Sequence, residues 1–165
     1  TLLLFKLFLI RLIMFKNFIL DVDGVLTTGQ MIYSEEGKKY KIFGPHDNDG
    51  LKMIKDLINI HFISADSKGF SITQKRISDI GFNVELVSEN DRKTYINKFV
   101  VDETIFMGDS IHDAEIMDIV KYSIAPKNAR REAIEKADFV TESKSGEGAV
   151  LDACLHIKNQ FFNER

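Results

Sequence analysis

The chain carries a single cysteine, Cys154, in 165 residues. An intrachain disulfide is thereby excluded, and the composition fits a reducing, cytoplasmic setting. Cys154 lies in a helical-looking stretch, where core packing is the expected role of a free thiol. No basic block is present either. The lysines are scattered and the net charge is −3, which argues against a nucleic-acid partner. A long uninterrupted apolar run is also missing. The segment Thr1 to Phe15 is almost wholly apolar but is broken by Lys6 and Arg11, so it falls short of the ~20 continuous apolar residues of a membrane helix. No small-residue cleavage site precedes Asp21, and a secretory leader is not expected. Residues 1–13 read as an upstream extension outside a single domain spanning 14–165. A membrane-surface anchor is the alternative for that extension, and no stable membrane insertion is expected.

After residue 16, short β-type runs alternate with helical segments. Strands are expected at Asn17–Val22, Ile60–Ser64, Asn83–Val87, Thr104–Met107, Tyr122–Ile124 and Phe139–Val140. Helices are expected near Asp49–Asn59, Ser71–Ile80, Lys93–Val100, Asp113–Val120, Ala129–Lys136 and Gly148–Phe162. Asn48 or Asp49 can cap the first helix, and Gly81 can stop the second. Strands alternating with helices of this length predict an α/β fold, a parallel sheet covered on both faces. One segment breaks the alternation. Gln30–Ser34 and Lys38–Phe43 flank Glu35-Glu36-Gly37 and read as a β-hairpin projecting after the first strand. Too little chain separates Asp23 from Ala65 to hold a lid domain, so the hairpin is also a surface for self-association.

Two acidic motifs carry the chemistry. Asp21-Val22-Asp23-Gly24-Val25-Leu26-Thr27 follows the apolar run Phe18-Ile19-Leu20, and Gly108-Asp109-Ser110-Ile111-His112-Asp113 follows Thr104–Met107. Side by side in a parallel sheet, these strands bring their carboxylates to one carboxyl edge, where such sheets hold ligands. Carboxylates crowded there repel one another unless a cation intervenes, and a set of hard oxygen ligands suits Mg²⁺. Asp21 and Asp23, two apart in extended chain, share a face. One can attack phosphorus and the other can protonate the leaving oxygen and later activate water. Gly24 lets the backbone turn close to a phosphate. A solvated acidic turn is the competing reading of the first motif taken alone.

The pair of motifs resembles the haloacid dehalogenase superfamily of phosphatases. Short length, a hairpin in place of a cap, and the ending Ser145-Gly146-Glu147-Gly148-Ala149-Val150 are similar to its capless 3-deoxy-D-manno-octulosonate 8-phosphate phosphatase family, with the related nonulosonate 9-phosphate phosphatases. The resemblance implies a three-layer Rossmann-like fold without a cap, Mg²⁺, a small phosphorylated sugar acid as substrate, a place in lipopolysaccharide biosynthesis and a homotetramer. It assigns Asp21 as nucleophile and metal ligand. Asp23 becomes the general acid/base, its carbonyl on the metal; Asp109 is a ligand, and Asp113 orients water on the metal. Ser64, with Ala65 beside it, takes the place of the Ser or Thr that donates to the transferring phosphoryl. The family more often shows Thr-Gly-Arg there, so Ala65-Asp66 departs from it, as does Glu147; both positions commonly carry basic residues in the octulosonate enzymes. The neutralising cation is either Arg92, favoured by the helical register of Tyr95, Ile96, Phe99 and Val100, or Lys93, favoured by residue type. A catalytically silent assembly domain is the reading from another class.

Other candidates weigh less. Gly44–Gly50 does not make a calcium loop, because Pro45 would fall at its first ligand position. His46 is read as a surface residue at the rim, with substrate contact as the alternative, His61 and His156 as structural or solvated, and His112 as lying inside the metal loop, where it could support the ligands. Phe62, Phe82, Phe99 and Phe106 are expected in the core. Phe161 and Phe162 either dock the last helix or, as the resemblance implies, reach toward a neighbouring subunit.

Overall fold

The computed structural model describes residues 15–163, and the extension over residues 1–13 lies outside them. Strands β1 (Asn17–Asp21), β4 (Asn59–Ser64), β5 (Val84–Leu86), β6 (Thr104–Met107), β7 (Tyr122–Ala125) and β8 (Phe139–Val140) form one parallel sheet in the order β5-β4-β1-β6-β7-β8. Strands β2 (Thr27–Ser34) and β3 (Gly37–Phe43) form a separate antiparallel hairpin. Helices α1 (Asp47–Ile54), α2 (Phe70–Asp79), α3 (Arg92–Ile96), α4 (Ile111–Met117), α5 (Arg131–Lys136) and α6 (Ala149–Ile157) complete the order.

Side chains of β1 alternate between two cores, as the strand period requires. Phe18 and Leu20 join a cluster with Leu51 and Ile54 of α1, Ile77 of α2 and Val150, Cys154 and Ile157 of α6. Ile19 faces the other way, toward Tyr95 and Ile96 of α3, Ile116 and Met117 of α4 and Ala133 of α5. A strand covered on both faces must be apolar throughout, which is why Phe18-Ile19-Leu20 runs without a polar break. Phe18, Phe62 and Phe106 are fully buried, each stabilising the fold by roughly 1.5–3 kcal/mol. The three-layer α/β architecture without a cap matches the expected fold.

Differences from the sequence reading sit at helix ends. Helix α4 begins at Ile111 because Ser110 caps it: the Ser110 hydroxyl accepts from the Asp113 amide while the Asp113 carboxylate accepts from the Ser110 amide. The expected caps of α1 are not used; His46 precedes it and no side chain caps it. Helix α3 ends at Ile96, short of Val100. Gly81, at φ +87°, stops α2 as expected. After α6 a π-helical turn, Lys158–Phe162, folds Phe161 onto Phe15 at 4.7 Å and Tyr122 at 5.0 Å between ring centroids. The tail therefore docks Phe161 against its own domain.

Candidate functional site

Register places the two motifs together. β1 lies between β4 and β6, with Asp21 opposite Ile63 and Leu20 opposite Met107. Ser64 ends β4 one residue beyond that pairing, and Gly108-Asp109 follows β6 on the other side. All three chain ends therefore open onto the same carboxyl edge. Asp21, Ala65 and Asp109 line a cleft of about 340 Å³ there, together with Gly24, Arg92 and Ser110, and with Met31 and Lys38 of the hairpin.

Arg92, at the first turn of α3, is buried and spans two carboxylates. One guanidinium nitrogen donates to Asp21 Oδ2 at 3.0 Å and the other donates to Asp113 Oδ1. Lys93, the other candidate cation, points to the outer surface and pairs with Glu115 at 2.7 Å, both more than half exposed. Of the register positions, Tyr95 and Ile96 are buried, whereas Val100, beyond the end of α3, is exposed. Asp113 is fully engaged: its Oδ2 accepts from the amides of Asp109 and Ser110 at 3.0 and 2.9 Å and from the Ser110 hydroxyl at 2.8 Å. Asp23 lies beyond the strand end, its Oδ2 accepting from the Ser64 hydroxyl at 2.8 Å.

Asp21, Asp109 and Asp113 each offer a carboxylate oxygen within 4.8 Å of the others. One guanidinium cannot balance three carboxylates. Burial first, then the Asp113 charge, pushes Asp21 well above the usual carboxylate range despite Arg92. The same two causes raise Asp109 to about 7. Burial opposes the Arg92 charge, but Asp21 and Asp113 more than offset it, so the guanidinium stays protonated. An all-oxygen, over-anionic cluster of this kind fits a hard divalent cation. Gly24 keeps the approach open: at φ +81°, a Cβ there would sit 2.1 Å from Asp109 Oδ2. At Gly108 a Cβ would stand 2.5 Å from the Asp113 side chain.

The hairpin brings residues that the sequence reading passed over. Lys41 reaches Asp23 Oδ1 at 2.6 Å and Asp66 Oδ2 at 2.8 Å, and Lys38 also pairs with Asp66. Burial tends to raise the Asp66 carboxyl, yet hydrogen bonds from Lys38 and Lys41 prevail and hold it down to about 2. Ala65 lines the cleft beside it. The signal for these lysines was the hairpin's inverted pattern: Tyr40 and Ile42 face solvent while Lys41 turns inward. His112 lies against Glu89 at 3.2 Å, both about half exposed. His156 stacks on Phe139 at 3.8 Å and shares a 2.8 Å hydrogen bond with the Tyr122 hydroxyl, a structural role.

Comparison with known proteins gives a consistent answer. The family of haloacid dehalogenase-like hydrolases matches residues 40–153. The 3-deoxy-D-manno-octulosonate 8-phosphate phosphatase of Haemophilus influenzae is 28% identical over 140 residues, 81% of this chain and 77% of that one. The cobalt-bound structure of the Haemophilus influenzae phosphatase aligns over 91% of each chain, at 28% identity and a TM-score of 0.78. A probable phosphatase from Pseudomonas syringae aligns over 96% of this chain and 93% of its own, at 26% identity and a TM-score of 0.83. With an acidic cluster at the carboxyl edge of β1 and β6, a buried arginine between its members and no lid among the described residues, the chain belongs to the haloacid dehalogenase-like hydrolase family, among its capless phosphatases.

Proposed function

We propose that this chain hydrolyses the phosphomonoester of a small sugar acid, 3-deoxy-D-manno-octulosonate 8-phosphate, through an aspartyl-phosphate intermediate. The observation that carries this reading is the convergence of Asp21, Asp23, Arg92 and Asp109 on one cleft, with the buried Ser64 hydroxyl bonded to Asp23 behind it. Asp21 and Asp109, with the Asp23 carbonyl, would hold Mg²⁺, and Asp113 would fix the surrounding geometry through its bonds to Arg92 and the Asp109 amide. Bound there, the cation supplies positive charge that offsets repulsion between Asp21 and a phosphate dianion. Arg92 holds the transferring phosphoryl oxygens and Gly24 leaves room for them, while the single Ser64 hydroxyl hydrogen is donated to Asp23. Asp21 attacks phosphorus in line, and Asp23 gives its proton to the departing sugar oxygen. Asp23 then takes a proton from water, which opens the aspartyl phosphate and releases phosphate.

The acidic wall supports a second substrate reading. Asp66 is ion-paired into the cleft where the octulosonate enzymes commonly carry a base, and Glu147 is the other such exchange. An acylneuraminate-type, nonulosonate 9-phosphate is the substrate that this reading names. Tyr33 and Tyr40 of the hairpin are 59% and 65% exposed, which supports self-association, with a homotetramer as the proposed state. Cytoplasmic location accords with the lone buried thiol, and no described helix is long and apolar enough to cross a membrane.

The test is phosphate release with and without Mg²⁺ from octulosonate 8-phosphate, nonulosonate 9-phosphates and common sugar phosphates, with Asp21→Asn in parallel. A preference for one sugar-acid phosphate that vanishes in Asp21→Asn is the expected result. Turnover persisting in Asp21→Asn would refute the covalent route. No release from any ester, together with no Mg²⁺-dependent stabilisation, would favour the silent assembly domain.

A further inference from the structure

Lys41 belongs to neither acidic motif and stands on β3, a strand outside the main sheet. Its side chain is 1% exposed. An ammonium has three hydrogens to donate, and three acceptors meet it: Asp23 Oδ1 at 2.6 Å, Asp66 Oδ2 at 2.8 Å and Thr73 Oγ1 at 2.8 Å. The set is complete. Asp23 lies in the turn beyond β1, where no sheet pairing fixes its side chain. Its two oxygens are instead gripped from opposite sides, Oδ2 by the Ser64 hydroxyl and Oδ1 by Lys41.

We infer that Lys41 is a positioning residue for Asp23, so that the hairpin aims the group that protonates the leaving oxygen. The inference rests on the proposed role of Asp23. In that step an Asp21 oxygen bonds to phosphorus while the bond from phosphorus to the ester oxygen breaks. The electron pair goes to the ester oxygen, which takes the Asp23 proton, and Asp23 is left a carboxylate. Lys41 contributes twice: it holds the carboxyl where the leaving oxygen emerges, and its fixed charge lies 2.6 Å from the anion that results. Asp66 and Thr73 in turn hold the ammonium, so β3, α2 and the turn after β4 act together on one carboxyl.

Leaving-group dependence separates this role from a structural one. p-Nitrophenolate departs without a proton, whereas phenolate departs much more readily with one. Rates on phenyl phosphate and p-nitrophenyl phosphate are to be measured for the wild type, Lys41→Met, Lys41→Gln and Lys41→Arg, with thermal unfolding of each. Asp23→Asn and Asp21→Asn serve as references. In Lys41→Met the ratio of the phenyl to the p-nitrophenyl rate should fall at least about tenfold, part of the ~10²–10⁴ that a general acid contributes. Asp23→Asn should move the ratio the same way and further, and Lys41→Arg should restore part of it. Lys41→Gln provides the same comparison if the methionine variant does not fold. Equal slowing of both esters in the folded variants would overturn the proposal. Wild-type protein inactive on both esters, or Asp21→Asn active on either, would instead strike the hydrolase reading itself, and this inference with it.

Discussion

Asp47 opens α1 at 1% exposure, and its Oδ2 has no hydrogen-bond partner among the described residues. Burial raises its carboxyl from 3.8 to about 6, with Arg76 pulling the other way. A rise of roughly 2 units is worth about 3 kcal/mol, at 1.36 kcal/mol per unit. Because the folded-state value lies above the unfolded one, the folded chain binds more protons between pH 4 and pH 6. Its stability therefore falls as pH rises through that window, and the full cost is present at pH 7. Asp47→Asn removes the charge but leaves an amide to satisfy, which returns about 1 kcal/mol. The variant should accordingly gain about 2 kcal/mol over wild type at pH 7.5, and the gain should vanish by pH 4.5. Urea denaturation of both proteins at pH 4.5, 6.0 and 7.5 reads this directly. A difference that does not change with pH, or a variant less stable at pH 7.5, would refute the burial argument.

Arg92→Met should destabilise the fold by about 3 kcal/mol, the lower end for stranding buried charge, and should abolish turnover. Lys93→Ala should leave melting temperature and turnover near wild type, and the reverse order in paired assays would exchange their roles. Gly24→Ala should remove most phosphatase activity with little loss of helical signal, since the clash is with one carboxylate (2.1 Å to Asp109 Oδ2) and not with the core; a fully active variant would show that the approach to Asp109 is not used. Mg²⁺ should raise the melting temperature more at pH 8 than at pH 6, because Asp109, raised to about 7, must give up its proton to receive a cation. An equal gain at both values would mean that Asp109 does not take part.

The central sheet was legible because its strands are short and, apart from β1, which the hairpin follows, each leads into a helical segment. Asp21 and Asp109 were legible for a related reason: a carboxylate ending a wholly buried strand needs a purpose. Helix ends were less so. Ser110 starts α4 two residues earlier than Asp113 suggests, since a cap and a site residue are the same side chains here. Arg92 and Lys93 are adjacent, and only the burial of Tyr95 and Ile96 turns one inward. Lys38 and Lys41 were hidden because a lysine on a two-stranded hairpin ordinarily faces water. Their partners Asp23 and Asp66 come from two other loops, and only the folded chain brings the three segments together.

Strand β1 is hydrogen-bonded on both sides and covered on both faces, whereas β2 and β3 pair only with each other. A lone two-stranded ribbon is marginal in water. Amide exchange should therefore be slowest in β1 and β6, at the rate of global opening, and fastest in the hairpin. Lys41 rides on the element that opens first. As temperature rises, a growing fraction of molecules would keep the sheet, Asp21 and Arg92 in place while Asp23 loses one of its two anchors. Activity is then expected to fade several degrees before the fold melts, with the midpoint of inactivation tracking hairpin exchange and not the unfolding of the sheet.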